Sequence, residues 1–223
     1  MTFKLLLERP GFVAIDKPAG IVVIPGRDGA ADCVRTRLEA QLGRPVWVVH
    51  RLDRDTSGVM LFALDAPTHR TLSMAFEQGE IHKRYVALVE GRFDVARLID
   101  QPLTEARKSR MRIARVDEAG KPAQTFVKPR TLFANATLIE AEPHTGRTHQ
   151  IRVHLQATGH PLLFDHQYGR KTPLSAADLS PGASGSEPVL ARTPLHAERL
   201  VVGGTPIEAP MPDDIAAAVR LLS

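Results

Sequence analysis

PVWVVHRLDRDTSGVMLFALD, residues 45–65, places a knot of charge between two apolar runs. VWVV and VMLFAL are built from β-branched, aromatic and long aliphatic residues and have strand length, so each predicts a strand. Thr56, Ser57 and Gly58 lead the chain back into the second run. The loop between them carries His50, Arg51, Asp53, Arg54 and Asp55. Cations on either side of a carboxylate favour its charged form, which suits Asp53 to act as nucleophile, general base or stabiliser of a cation rather than as an acid. A surface ion-pair cluster has the same composition. Anchoring between two strands is what separates the readings, because catalytic groups need a rigid support.

Outward from this stretch the chain reads as short apolar runs punctuated by Gly and Pro. FKLLLE, GFVAID and GIVVIP precede it, and HKRYVALVEG, QPLTEARKSRMRIARV, PAQTFVKPRTLF and NATLIEAEP follow it. These predict strands joined by turns. Residues 31–42 change to helical spacing through Val34, Leu38 and Leu42, with Gly43 as a stop. A second helix is expected from Pro67 to Gly79 with Leu72, Ala75 and Phe76 inward. A third runs to Thr158 from Thr148 as N-cap, placing Arg152 off the Ile151 and Leu155 stripe and open to a cleft. PDDIAAAVRLL predicts a short closing helix. Strand signals outnumber helical ones, and the expected fold class is α+β, a mixed, mainly antiparallel central sheet flanked by helices and loops.

With 223 residues the chain is long enough for one large core, and residues 1–223 read as a single domain. Residues 171–189, KTPLSAADLSPGASGSEPV, are rich in Ser, Pro, Gly and Ala and predict a mobile surface insertion. The formal charge is +4, which favours an anionic partner, nucleic acid first. The one cysteine, Cys33, excludes an intramolecular disulfide and a cysteine metal cluster, in keeping with a reducing cytoplasm. Three leucines near the N-terminus are too short for a signal core or a membrane span, so the mature chain is expected to begin near Met1.

Three further places gather chemistry. HTGRTHQIRVHL, residues 144–155, holds three histidines at intervals of five. That spacing separates His149 from His154 by roughly 140° on a helix, which argues against a shared metal. A turn at Thr145 and Gly146, then a helix whose first residues, Arg147 among them, aim polar groups at an anion, is the alternative. In ARKSRMRIAR, residues 106–115, one strand would carry Lys108, Arg110 and Arg112 on a single face, either a phosphate-binding stripe or a charged, solvated edge. Tyr85 in HKRYVAL reads as a half-buried sheet residue or as an aromatic of a site.

Taken together, HRLDRDTSG at 50–58, KRYVALVEG at 83–91, GKPAQT at 120–125 and HTGRTHQIRVHLQATGHPLL at 144–163 resemble the RluA-type family of RNA pseudouridine synthases, and IDKPAGIVVIPG at 15–26 is similar to that family's opening. The resemblance spans roughly residues 10–200 and implies a pseudouridine synthase catalytic fold. It implies isomerisation of uridine in ribosomal or transfer RNA to pseudouridine, with base flipping and without cofactor or metal. Asp53 matches the catalytic aspartate, as nucleophile or as base. Tyr85 matches the aromatic that packs on the uracil, Arg152 the basic partner of the aspartate, and Arg51 the residue that enters the RNA helix as the base leaves. His50, Arg54, Thr56, Lys108, Arg110, Arg112, Arg147 and His149 are the further RNA-binding candidates. After GHP the family has a Gly-Asp turn and a Tyr-Gly pair; here Phe164 precedes Asp165, with Tyr168 and Gly169 retained. No room is left for a separate N-terminal RNA-binding domain, and a monomer without membrane attachment is expected. The alternative is an RNA-binding or RNA-folding protein of the same fold without turnover. A two-carboxylate hydrolase is disfavoured because no motif offers a second carboxylate.

Overall fold

The computed structural model describes residues 2–25, 32–108 and 111–223. In chain order the elements are β1 (Lys4–Arg9), β2 (Phe12–Lys17), α1 (Val34–Leu42), β3 (Trp47–Val48), β4 (Ser57–Ala63), α2 (Ala66–Glu77), β5 (His82–Glu90), β6 (Arg97–Asp100), β7 (Leu103–Lys108) and β8 (Met111–Val116). They continue with β9 (Gln124–Leu132), β10 (Ala136–Pro143), α3 (Gln150–Ala157), β11 (Leu174–Ser175), α4 (Ala176–Leu179), β12 (Pro188–Leu190), β13 (Leu195–Val202), β14 (Thr205–Glu208) and α5 (Asp213–Leu222). Where the sequence reads as one domain, contacts gather into two compact units, Met1–Lys83 with Ala197–Pro210 and Arg84–His196 with Met211–Ser223.

In the first unit the strands follow the order β1-β2-β4-β13, with β3 added to β4 and β14 to β13. β4 explains the arrangement. All seven of its residues are buried, as a continuous apolar run requires of a strand covered on both faces. Each large side chain there, Phe62 and Leu61 among them, is fully buried and contributes about 1.5–3 kcal/mol. Gly58 opens β4 at φ 113°, and a Cβ there would lie 2.2 Å from the carbonyl oxygen of Ala197. Only glycine permits that approach. α2 starts where Asp65 caps it, accepting from Thr68 N–H at 2.7 Å with Pro67 in the first turn. As expected from the spacing, Leu72 is buried, and Ala75 and Phe76 pack against the cluster containing Val59, Leu61 and Ala63. α1 begins at Val34, later than the pattern suggests, and ends at Gly43 in the left-handed conformation.

In the second unit the strands follow the order β5-β10-β9-β6, while β7 and β8 form a separate pair. The pairs β1–β2, β2–β4, β3–β4, β13–β14, β5–β10, β9–β10, β6–β9, β7–β8 and β11–β12 are all antiparallel, which agrees with the expected sheet. β5 changes character along its length, from the polar His82–Tyr85 end to a buried Val86–Val89 stretch. Residues 171–189 differ from expectation. They contain β11, α4 and the start of β12, and Leu174 and Leu179 join Leu190, Val86, Phe133 and Ile215 in one apolar cluster. Two leucines at the right points supply the anchors that the composition conceals.

α3 also departs from the sequence reading. Its N-cap is His149 rather than Thr148, and it begins at Gln150, whose side chain is buried. His149 adopts φ 53°, ψ 22°. The stripe expected along residues 106–115 is interrupted by a chain reversal, since Lys108 pairs with Met111 and Arg107 with Arg112 in an antiparallel hairpin. Alternation along a single strand therefore does not apply. Arg110 lies outside the described residues, as do the side chains of Lys108 and Arg112.

Candidate active site

The charged loop of the first unit is fixed through its main chain. Lys17, at the end of β2, is wholly buried, and its ammonium donates to the carbonyl oxygens of Pro18 at 2.9 Å, Arg54 at 3.0 Å and Thr56 at 2.8 Å. A buried ammonium is tolerated where its protons are matched by acceptors in this way. Gly20 N–H adds a bond to the Arg54 carbonyl at 2.9 Å, and Arg54 Nε returns one to the Gly20 carbonyl at 3.0 Å. Thr56 N–H closes the turn on the Asp53 carbonyl at 3.2 Å. On this support Leu52 and Thr56 are buried, Asp53 is half-buried, and Arg51 and Arg54 are exposed.

His50 secures the start of the loop. Its ring stacks on Phe76 of α2 at 4.3 Å and 22°, and its Nε2 accepts from Leu61 N–H of β4 at 2.9 Å. Burial, and then the Lys83 charge, lower the imidazole from its ordinary 6.5 to about 3. His50 is thus neutral, as an accepting Nε2 requires. The positive charge of this loop comes from its arginines.

The second unit holds Tyr85 and Arg152. Tyr85 lies on β5 opposite Ala141 of β10, half-buried against the cluster that contains Ile151 and Leu155. Arg152 is not open to a cleft in the manner its helical position suggests; it is only 5% exposed. Its Nε donates to Asp165 Oδ2 at 2.7 Å, and its Nη2 to Asp165 Oδ1 at 2.8 Å and Gln167 Oε1 at 2.9 Å. Asp165 also accepts from the backbone N–H groups of Gln167 at 2.9 Å and Tyr168 at 3.2 Å. Burial by itself raises the Asp165 carboxyl, but the Arg152 guanidinium and these two N–H groups hold it below the ordinary carboxylate value. The Tyr168 ring lies 5.0 Å from the same guanidinium.

The turn before α3 is fixed by Gln150. Its Oε1 accepts from Thr145 Oγ1 at 2.7 Å and Arg147 N–H at 2.9 Å, while its Nε2 donates to Gln124 O at 2.9 Å and Thr125 Oγ1 at 3.0 Å. Arg147 is exposed, its Nε on the Pro122 carbonyl at 3.0 Å. The Arg147 backbone N–H is therefore occupied within the turn. His154 is fully buried between Thr125 Oγ1 and Gln101 O, both at 2.9 Å. Among the described residues no group of three His, Cys, Asp or Glu is placed to hold a metal ion, and no helix is long and apolar enough to cross a membrane.

The structure thus gathers His50, Arg51, Asp53, Arg54 and Thr56 on one pinned loop, and His149 and Arg152 at one helix end. Lys17, Gln150, Asp165 and Tyr168 are the residues sequence reasoning left without a task. The signal for Lys17 was faint but present, a lysine closing the apolar run FVAID.

The sequence pattern of the RNA pseudouridylate synthase family matches residues 11–157, a span that includes Asp53, Tyr85 and Arg152. The chain belongs to that family. Among curated relatives, ribosomal large subunit pseudouridine synthase D of Nitrosomonas europaea is 35% identical over 230 residues, covering 98% of this chain and 65% of that protein. Ribosomal large subunit pseudouridine synthase C of Pasteurella multocida is 39% identical over 174 residues, covering 75% of this chain and 52% of that protein. The chain therefore spans about half to two thirds of the length of these relatives. Among solved structures, human RNA pseudouridylate synthase domain containing 4 superposes with a TM-score of 0.78 at 23% identity, over 98% of this chain and 92% of that one. This last likeness concerns the fold, which is that of a pseudouridylate synthase domain. The RluA-type resemblance read from the motifs agrees with the family and with both curated relatives.

Proposed function

We propose that the protein isomerises uridine within structured RNA to pseudouridine. The N1–C1′ glycosidic bond breaks, the uracil turns, a C5–C1′ bond forms, and the proton lost from C5 is balanced by one gained at N1. Asp53 acts on the ribose, as nucleophile or as base, and Tyr85 packs on the uracil. Arg152 supplies the fixed positive charge of the site. The observation that carries the proposal is the family match across the Asp53 loop, together with the clamp of Lys17 on that loop's carbonyls. A carboxylate delivered by a pinned backbone is what a positioned nucleophile needs.

A base inside folded RNA must leave its stack, at a cost of a few kcal/mol. Exposed Arg51 suits the vacated space, and Arg54, Arg147, Lys108, Arg110 and Arg112 suit the phosphates. Thr56 and His149 are held close to the main-chain supports of the two regions and act on RNA through them. Ribosomal RNA is the substrate we favour, because both curated relatives are named for the large ribosomal subunit. The basic charge and single cysteine fit such work in the cytoplasm. The test is release of tritium from RNA labelled at uridine C5, with purified protein and either ribosomal or transfer RNA. Release from ribosomal transcripts is expected. RNA binding without release from any transcript would leave an RNA-binding protein of the same fold.

A further inference from the structure

Three parts of the second unit meet at the phenol of Tyr168. Its oxygen accepts from Ala114 N–H of β8 at 2.8 Å and lies 2.8 Å from Nδ1 of His149. Its ring carries the Arg152 guanidinium on one side, at 5.0 Å, and meets the His149 ring edge-on at 5.6 Å and 74°. Its backbone N–H belongs to the Asp165 cradle that grips Arg152. Tyr168 thus touches the β7–β8 pair, the start of α3 and the arginine together.

Each contact has a mechanical consequence. Ala114 is buried with Leu103, Ala123 and Val153, and Tyr168 packs against that cluster, so the hairpin is seated on Tyr168 by both apolar and polar contact. Thr148 Oγ1 adds a bond to Glu105 of β7. A phenol oxygen that accepts one hydrogen bond can donate its own proton at the same time, here to His149 Nδ1. His149 is the one non-glycine among the described residues with positive φ. A left-handed non-glycine residue costs of order 1–3 kcal/mol and persists where its surroundings hold it. Its carbonyl then accepts from Val153 N–H at 3.0 Å and so starts the helical turn that bears Arg152.

We propose that Tyr168 is a positioning residue for the isomerisation. Its hydroxyl registers the β7–β8 hairpin on the first turn of α3, and its ring holds the Arg152 guanidinium. RNA bound against the β7–β8 pair thereby sets the arginine. The inference rests on the reading of the chain as an RNA isomerase with Arg152 in its site.

The test is the single-turnover rate at saturating RNA, measured beside RNA affinity and melting temperature. Tyr168→Phe keeps the ring and removes the hydroxyl. Its rate is expected to fall about tenfold while Kd stays within about twofold, the scale of one lost hydrogen bond acting on the saturated step. Replacing Arg107 and Arg112 with Gln is expected to slow the saturated step in the native protein and to slow Tyr168→Phe no further, because both act through one link. Tyr168→Phe at the native rate, or losses that multiply, would overturn the inference. His149→Asn, which tolerates the left-handed conformation, serves if Tyr168→Phe does not fold: slowing without further loss from the hairpin substitutions supports the link, and a native rate breaks it. Arg152→Gln is measured alongside. A full rate in Arg152→Gln, or no turnover by the native protein, removes the functional reading and this inference with it. A slow Arg152→Gln beside a normal Tyr168→Phe removes the inference alone.

Discussion

The loop around Asp53 and the helix end around Arg152 are both dense in charge, and they are held in opposite ways. In the first, the gripping groups are not those assigned to the chemistry. Lys17 binds the carbonyls of Arg54 and Thr56 just after Asp53, and His50, just before it, accepts from Leu61 N–H. In the second, Arg152 is itself the centre of the network, forked onto Asp165 and backed by Gln167 and Tyr168. A loop held by its backbone has the position of its carboxylate set by main-chain bonds. An arginine held by a buried carboxylate serves structure and chemistry together, so its loss is a folding defect as well as a catalytic one.

That contrast is broken most directly at the second region. Asp165→Ala leaves a buried guanidinium without its fork, and about 3–5 kcal/mol of stability is expected to disappear in urea unfolding. A loss under about 1 kcal/mol would show that the pair is replaced by water. Lys17→Met comes next. Three carbonyl oxygens lose the ammonium, Arg54 alone keeping the Gly20 N–H reported above, so about 1–3 kcal/mol of stability is expected to go, with a slower saturated rate and little change in RNA affinity. Unchanged turnover in a destabilised Lys17→Met would mean the loop keeps its shape without the clamp.

The two regions also separate by pH. The folded-state pKa of His50, about 3, is below its unfolded value of 6.5, so its contribution is complete above 6.5 and is lost as pH falls toward 3. Asp165 is also depressed, but from an ordinary carboxylate value, so its contribution persists down to that value and is lost only below it. His50→Asn should reduce the slope of the stability profile between pH 6.5 and the carboxylate range, with buried His154, also lowered, keeping its share, and leave the steeper acid limb in place. A profile identical to the native one would contradict the neutral assignment. Smallest of all, Arg54→Gln removes an exposed bond to the Gly20 carbonyl and is expected to cost under about 1 kcal/mol in thermal unfolding.

What could be read in advance follows from the range of each interaction. β4, α2 and the Gly43 stop were legible because burial of a continuous run, an Asp-Ala-Pro start and a left-handed glycine are local signals. The Asp53 loop was legible through its motif. Lys17 was passed over because its partners lie at Arg54 and Thr56, far along the chain. The same holds for Asp165, whose meaning depends on Arg152. α3 starts late because the His149–Tyr168 contact holds a conformation that residue-by-residue preference disfavours. The stripe over 106–115 failed for want of a turn signal, since nothing in KSRM looks like a hairpin bend.

The central claim is that the Asp53 carboxylate does chemistry on RNA. Asp53→Asn, nearly isosteric, should be compared with the native protein for pseudouridine formed in one turnover on a bound ribosomal transcript. The account predicts native conversion, and for Asp53→Asn a rate lower by about 10³ or more with RNA affinity preserved, the scale for removing a nucleophile or general base. Asp53→Asn converting uridine at the native rate would contradict it.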